Sequence, residues 1–207
     1  MKILYVTVLS LLVSACGSDS SDTKGFIGCE NRICSDQLGD TDFSFIDIGE
    51  VQVKTDNLNL VVDVSFLNFP ESLVFNSANI LDGFPQYSWS VSFDVARDNT
   101  YTDVIRLDVT YINDVNAPEV QGSPLNLTRK DVLQFEGPAG GGLIVGLTIG
   151  QVILTQNNNT LTFTVPKSVH PALEAINQTT PFNVYASYNS AGTEYEDKFP
   201  DYNGYIQ

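Results

Sequence analysis

The sequence predicts an all-β protein: a single antiparallel β-sandwich of two packed sheets, immunoglobulin-like or jelly-roll-like, with little helix. Three observations predict it. Apolar and polar residues alternate with a period of two along several segments, turn-forming residues separate those segments at short intervals, and helical patterning is confined to one short stretch. A period of two places one set of side chains on a core face and the other in water, as half-buried antiparallel strands require.

The chain opens on an export signal. Lys2 supplies a positive start, and Ile3 to Val13 is an apolar run broken only by Thr7 and Ser10. The run is too short to cross a bilayer, which takes about 20 apolar residues, and suits the h-region of a signal peptide. Val13-Ser14-Ala15-Cys16 then resembles a bacterial lipobox, where processing acylates the thiol and cleaves just before it. The other reading is an ordinary secretory signal with a chance cysteine. The order small-small-Cys, followed by a Ser/Asp-rich tether, favours the lipobox. Residues 1–15 are thus the expected signal peptide and Cys16 the expected lipidation site. Several acyl chains, each buried methylene contributing about 0.8 kcal/mol, would make the membrane a lasting partner. Gly17 follows the cysteine in place of the aspartate that would resemble an inner-membrane retention signal, so the expected location is the cell envelope at the outer membrane.

Gly17 to Gly25 has nothing to bury and reads as a flexible tether. Phe26 to Asp42 is expected to be a lead-in stapled by Cys29 and Cys34, so that residues 16–42 precede a sandwich domain over 43–207. In an oxidising compartment two cysteines this close most often form a local disulfide. By the chain-entropy account so short a loop contributes roughly 2–3 kcal/mol at most. A Cys-x4-Cys pair can also supply half a zinc site, but that needs further ligands, and His170 is the one histidine.

From Phe43 onward the strands follow in order. Leu58, Leu60, Val62, Val64 and Phe66 alternate with Asn59, Val61, Asp63 and Ser65. Tyr87, Trp89, Val91, Phe93 and Val95 alternate with Ser88, Ser90, Ser92 and Asp94. Ile105 to Tyr111, Leu161 to Val165 and Phe182 to Tyr188 obey the same rule. Weaker candidates are Ile46–Val53, Leu73–Phe75, Leu133–Phe135, Leu143–Ile149 and Gln151–Thr155. Thr55-Asp56-Asn57 and Gln156-Asn157-Asn158-Asn159 supply hairpin turns. Pro85, Pro118, Pro124 and Pro138 fall between strands, where no ladder donor is lost. Val169 to Ile176 allows one short turn or helix. The expected core contains Leu60, Val62, Val64, Trp89, Val91, Phe93, Leu107, Val109, Phe163 and Val184.

The net charge of −15 repels nucleic-acid phosphates, so nucleic acid is not an expected partner. It suits solubility and stand-off from an anionic membrane.

Three stretches carry a family resemblance. Asp56 to Phe66, Tyr87 to Asp94, and Leu161 to Ser168 with Pro181 to Ala186 resemble strands of DOMON-like and family 9 carbohydrate-binding-module-like sandwiches. Asp197-Lys198-Phe199-Pro200-Asp201 is similar to their closing segment. The resemblance covers about Phe43 to Asp201 and implies a sandwich with a carbohydrate-binding face. Two departures bear on function. Sugar-binding members clamp a ligand between aromatic rings, often two tryptophans, and this chain has only Trp89. Haem-binding members use methionine and histidine ligands; here Met1 leaves with the signal and His170 stands alone, so no haem is expected.

Several constellations have a chemical and a plainer reading. Trp89 suits core packing, since aromatics dominate sandwich cores, or a ligand platform. Tyr185, Tyr188 and Tyr195, near Tyr202 and Tyr205, can stack on pyranose rings or simply cover sheet edges. Asp94, Asp98, Asn99 and Asp103 can supply several of the six to eight oxygens calcium takes, although the loop lacks the EF-hand pattern. Glu194, Glu196, Asp197 and Asp201 form a second acidic group. Gly137 to Leu143 is glycine-rich, but no Lys-Ser/Thr follows, so it reads as a hairpin or bulged connection. His170 stands beside Pro171 with no Gly-x-Ser-x-Gly elbow in the chain, and an enzyme is not expected.

The function expected is therefore that of a membrane-anchored lipoprotein displaying a non-catalytic binding module, with a glycan or protein partner and calcium as the one cofactor in question. The alternative is an accessory envelope lipoprotein acting through protein contacts. An aromatic patch beside hydrogen-bonding side chains would separate them.

Overall fold

A computed structural model describes residues 28–30, 33–75, 85–96, 103–112, 119–136, 145–190 and 192–200. The expected signal peptide, Cys16 and the tether lie outside the described residues, as do Asp98, Asn99, Asp201, Tyr202, Tyr205 and the whole glycine-rich run.

The period-two segments become strands of two packed sheets. The strands are β1 (Gly28–Glu30), β2 (Ile33–Ser35), β3 (Ile48–Thr55), β4 (Asn59–Phe66), β5 (Leu73–Phe75), β6 (Pro85–Asp94) and β7 (Asp103–Ile112). They continue as β8 (Val120–Gly122), β9 (Arg129–Glu136), β10 (Val145–Gln151), β11 (Ile153–Asn157), β12 (Thr160–Pro166), β13 (Phe182–Ser190) and β14 (Thr193–Phe199). One six-stranded sheet runs β1-β2-β3-β4-β12-β11, and the other runs β10-β9-β7-β6-β13-β14. β5 and β8 form a small separate ribbon. Every described pairing is antiparallel, so the all-β sandwich stands. No described helix is long and apolar enough to cross a membrane.

Alternation sets the layers. Along β4 every second residue is buried, and Leu60, Val62 and Val64 meet Val165, Phe163 and Leu161 of β12 in register. All ten residues expected in the core are buried, with Trp89 1% exposed. Its indole Nε1–H donates to Phe45 O at 3.1 Å and its ring stacks on Tyr87, which makes it a core residue. The β11–β12 turn uses Asn158 at φ +50°, a left-handed conformation asparagine tolerates. Its neighbour Asn159 receives Phe69 N–H and donates to Leu67 O, tying the hairpin to the segment after β4.

Five details differ from the sequence reading. Pro85 does not fall between strands but is the first residue of β6, a place where proline is tolerated. Leu58 is not in the alternating core set; it is 72% exposed. The Asp56 carboxylate accepts the N–H groups of Leu58 and Asn59, which holds the turn open through Leu58 and starts β4 one residue later. The stretch after Pro166 forms two 3-10 turns, Lys167–Val169 and Pro171–Ala175, where His170 Nδ1 accepts Ala172 N–H. The sheet also begins before Phe43: β2 pairs with β3, and Cys34 is buried in the core cluster. Finally β14 is a full strand. Its outward Glu194, Glu196 and Lys198 obscure an inward set of Tyr195, Asp197 and Phe199.

Candidate functional site

The segment between β2 and β3 folds over the inner face of β13 and β14. Ile46 and Asp47 both donate their N–H groups to Phe43 O, at 3.0 and 3.2 Å, closing a tight turn. The turn carries Ile46, Asp47 and Ile48 into the interior, each 0% exposed. Two of these are ordinary core residues; the third is a carboxylate. Asp47 Oδ2 accepts the N–H of Gly39 at 2.8 Å, and Gly39 presents that group from a left-handed conformation at φ +87°. Asp47 Oδ1 is buried and has no hydrogen-bond partner among the described residues.

Asp197 faces it from β14. Its Oδ2 accepts Ile48 N–H at 2.6 Å and its Oδ1 accepts Lys198 N–H at 2.7 Å. Exposed Asp40 completes a group in which one carboxylate oxygen from each of Asp40, Asp47 and Asp197 lies within 4.8 Å of the others. Burial holds the Asp47 carboxyl above the usual range; the Gly39 N–H opposes that shift and the charge of Asp40 adds to it.

Beside the carboxylates stands an aromatic wall. Phe43 packs edge-on against Tyr188 and Tyr195, with ring centroids 4.9 and 4.7 Å away, and Phe45 meets Tyr188 at 5.2 Å. Tyr188 and Tyr195 are direct cross-strand partners and lie half-buried against the core. Tyr185 is on the opposite face of the sheet. Its hydroxyl donates to Glu194 Oε1 at 2.9 Å, and Lys198 Nζ sits 5.8 Å from its ring centre. Partial burial, helped by Glu194 and Glu196, holds its phenol well above the usual tyrosine range. The three tyrosines expected to form one sugar-stacking patch are thus divided. Strand alternation sends 185 outward and 188 inward, and Phe43 already covers Tyr188 and Tyr195.

The calcium group expected after the Trp89 strand is only half described. Asp94 is 1% exposed at the end of β6, and Asp103 begins β7, where its carbonyl accepts Val95 N–H at 3.0 Å. Asp98 and Asn99 lie outside the described residues. Of the second acidic group, Asp197 points inward while Glu194 and Glu196 point outward, so they do not act together.

Two clefts flank the β3–β4 turn. One, of about 270 Å³, is lined by Gln52, Lys54, Thr55, Asn59 and Gln178 among others. The second, of about 350 Å³, lies between Asn57, Leu58, Lys167, Ser168 and Glu174. Neither contains an aromatic ring, so the expected combination of ring and hydrogen-bonding groups is not assembled in either.

Sequence reasoning passed over Asp40 and Asp47. The available signal was an aspartate inside the apolar run Phe45-Ile46-Asp47-Ile48, a position where a charge has no reason to be solvated. In comparison with known proteins, the chain matches no family model, no curated protein and no solved structure.

Proposed function

We propose that this chain is a lipid-anchored envelope protein whose β-sandwich is a non-catalytic binding module, with glycan as the first ligand class. One observation carries the reading: an apolar export run ends in Val13-Ser14-Ala15-Cys16 and a Ser/Asp tether, directly ahead of the sandwich. That order serves to display a folded domain at a membrane. Support for a hydroxyl-rich ligand comes from the cleft beside the β3–β4 turn, which Gln52, Lys54, Asn59 and Gln178 line with amide and ammonium side chains. A local Cys29–Cys34 disulfide belongs to the same reading. It is supported by the direct register of the two residues across β1 and β2.

A second reading, an accessory protein acting through protein contacts, is favoured by the sandwich edge. β10 and β11 each form one edge of their sheets and carry Leu147 and Ile153, 57% and 55% exposed. Such edges offer unpaired backbone groups to another chain.

Mass spectrometry of the mature N-terminus tests the anchor: an acylated Cys16 is expected, and an unmodified cysteine or a start elsewhere overturns it. A glycan array probed with the full chain in detergent tests the module. Retention of a glycan, lost in a Lys54→Ala, Gln178→Ala double variant, supports the first reading. No retention across the array leaves the second.

A further inference from the structure

We infer that Asp40, Asp47 and Asp197 form a binding site for a hard divalent cation of the calcium class, fastening the segment between β2 and β3 to strand β14. This goes beyond the binding-module reading and does not depend on it.

Burial, distance and donor chemistry support the site independently. Asp47 is 0% exposed, and its Oδ1 has no hydrogen-bond partner among the described residues. An ionised carboxylate buried without compensation costs several kcal/mol, so a group in this position is paired or coordinates a metal. No ion pair among the described residues involves Asp47 or Asp40.

The spacing fits a cation. The three contributing oxygens lie within 4.8 Å of one another. Three oxygens no more than 4.8 Å apart in any pair can all lie within about 2.8 Å of one point, close to the 2.3–2.6 Å or so of calcium–oxygen bonds, so a small closure brings all three onto one ion. Carboxylate oxygens without thiolate or imidazole select calcium-like ions over zinc or copper. Asp40 is exposed, which gives an entry path and leaves room for the waters that complete a coordination of six to eight.

The local structure holds the ligands in place beforehand. Asp197 is oriented by the Ile48 and Lys198 amides, and Asp47 by the Gly39 amide, so each keeps its carboxylate fixed by backbone. The Phe43 ring against Tyr188 and Tyr195 clamps the same segment from the apolar side. A cation here would lock that segment and β14 together.

The test is calcium titration of the chelator-treated full chain in detergent, read by calorimetry and by thermal unfolding followed through Trp89 fluorescence. Saturable binding with a Kd in the micromolar-to-millimolar range, about 10⁻⁶ to 10⁻³ M, and a rise in melting temperature are expected. Asp47→Asn keeps the shape of the side chain and should weaken binding at least about tenfold. Asp40→Asn removes an exposed ligand that supports no described hydrogen bond, so the variant folds, and it should weaken binding by a similar factor. No heat and no thermal shift at about 10 mM calcium would overturn the site. Unchanged affinity in either variant would overturn it as well, by placing the ion elsewhere.

Discussion

Asp197 Oδ2 accepts the Ile48 amide at 2.6 Å, a hydrogen bond from the edge strand of one sheet to the third strand of the other. The register of β3 against β4 shifts between Ile48 and Glu50, a bulge that takes the Ile48 amide out of the regular ladder. A buried N–H released this way needs another acceptor, and Asp197 supplies it from across the sandwich. Replacing Asp197 with alanine therefore orphans a buried donor. In chelator, where no cation contributes, Asp197→Ala should lose about 3 kcal/mol in urea unfolding, the range for hydrogen bonds to charged acceptors plus an unsatisfied amide. A loss below about 0.5 kcal/mol, as at an ordinary surface position, would show that the bond does not hold the two sheets together.

Trp89 ties the same covering segment to the core. Its indole donates to Phe45 O at 3.1 Å while its ring lies against Tyr87 and Phe69. Trp89→Phe keeps an aromatic ring, vacates part of the indole volume and leaves the Phe45 carbonyl without this donor. A loss of about 2–3 kcal/mol is expected from chemical unfolding followed by far-UV circular dichroism. Because Trp89 is the single tryptophan, emission from the unaltered chain should shift to the red in step with that transition.

The fold was legible wherever one face of a strand is uniformly apolar. β4, β6, β7, β12 and β13 have that property, and their inward residues follow from the period alone. β14 was hidden because its inward set is Tyr195, Asp197 and Phe199: the middle residue is a carboxylate, so the strand reads as part of an acidic cluster. The same residue carries the candidate site. Asp47 was hidden for the matching reason, as a charge inside an apolar run whose meaning depends on a strand roughly 150 residues downstream. Tyr185 and Tyr188 show the converse limit. An odd spacing placed them on opposite faces, which period-two reasoning could have found, but only the structure shows Phe43 covering Tyr188.

Gly146 sits opposite Phe135 in the β9–β10 pair, and the ring lies over the glycine. A Cβ built at Gly146 would fall 2.8 Å from Phe135 Cε1 and 3.1 Å from Cζ. A ring cannot yield by turning one flexible end, so Gly146→Ala should cost about 1–3 kcal/mol, the usual range for overpacking. The cost should vanish in a Phe135→Ala background, giving a coupling energy of the same size in a double-mutant cycle. Additive effects would show that the strain arises from the backbone rather than from the ring.

Alkaline stability should follow two phenols. Burial holds Tyr87 well above its ordinary value, the neighbouring Tyr188 reinforces the shift, and the Tyr87 hydroxyl donates to the Val74 carbonyl at 2.8 Å, a bond that only the protonated phenol makes. Tyr185 is shifted the same way. A folded-state value raised above the unfolded one means that the fold favours the protonated phenol. Its contribution is complete below the unfolded value of about 10 and is lost as pH rises from there through the folded value. The urea midpoint should therefore hold steady between about pH 8 and 9 and fall beyond about pH 10. In Tyr87→Phe the neutral-pH midpoint drops because the bond to Val74 is gone, but the alkaline decline should be shallower. Tyr185→Phe should flatten it less, because that phenol is partly exposed and water screens its charged form. Equal alkaline slopes in the parent and Tyr87→Phe chains would show that the Tyr87 phenol ionises in the folded protein as it does in water.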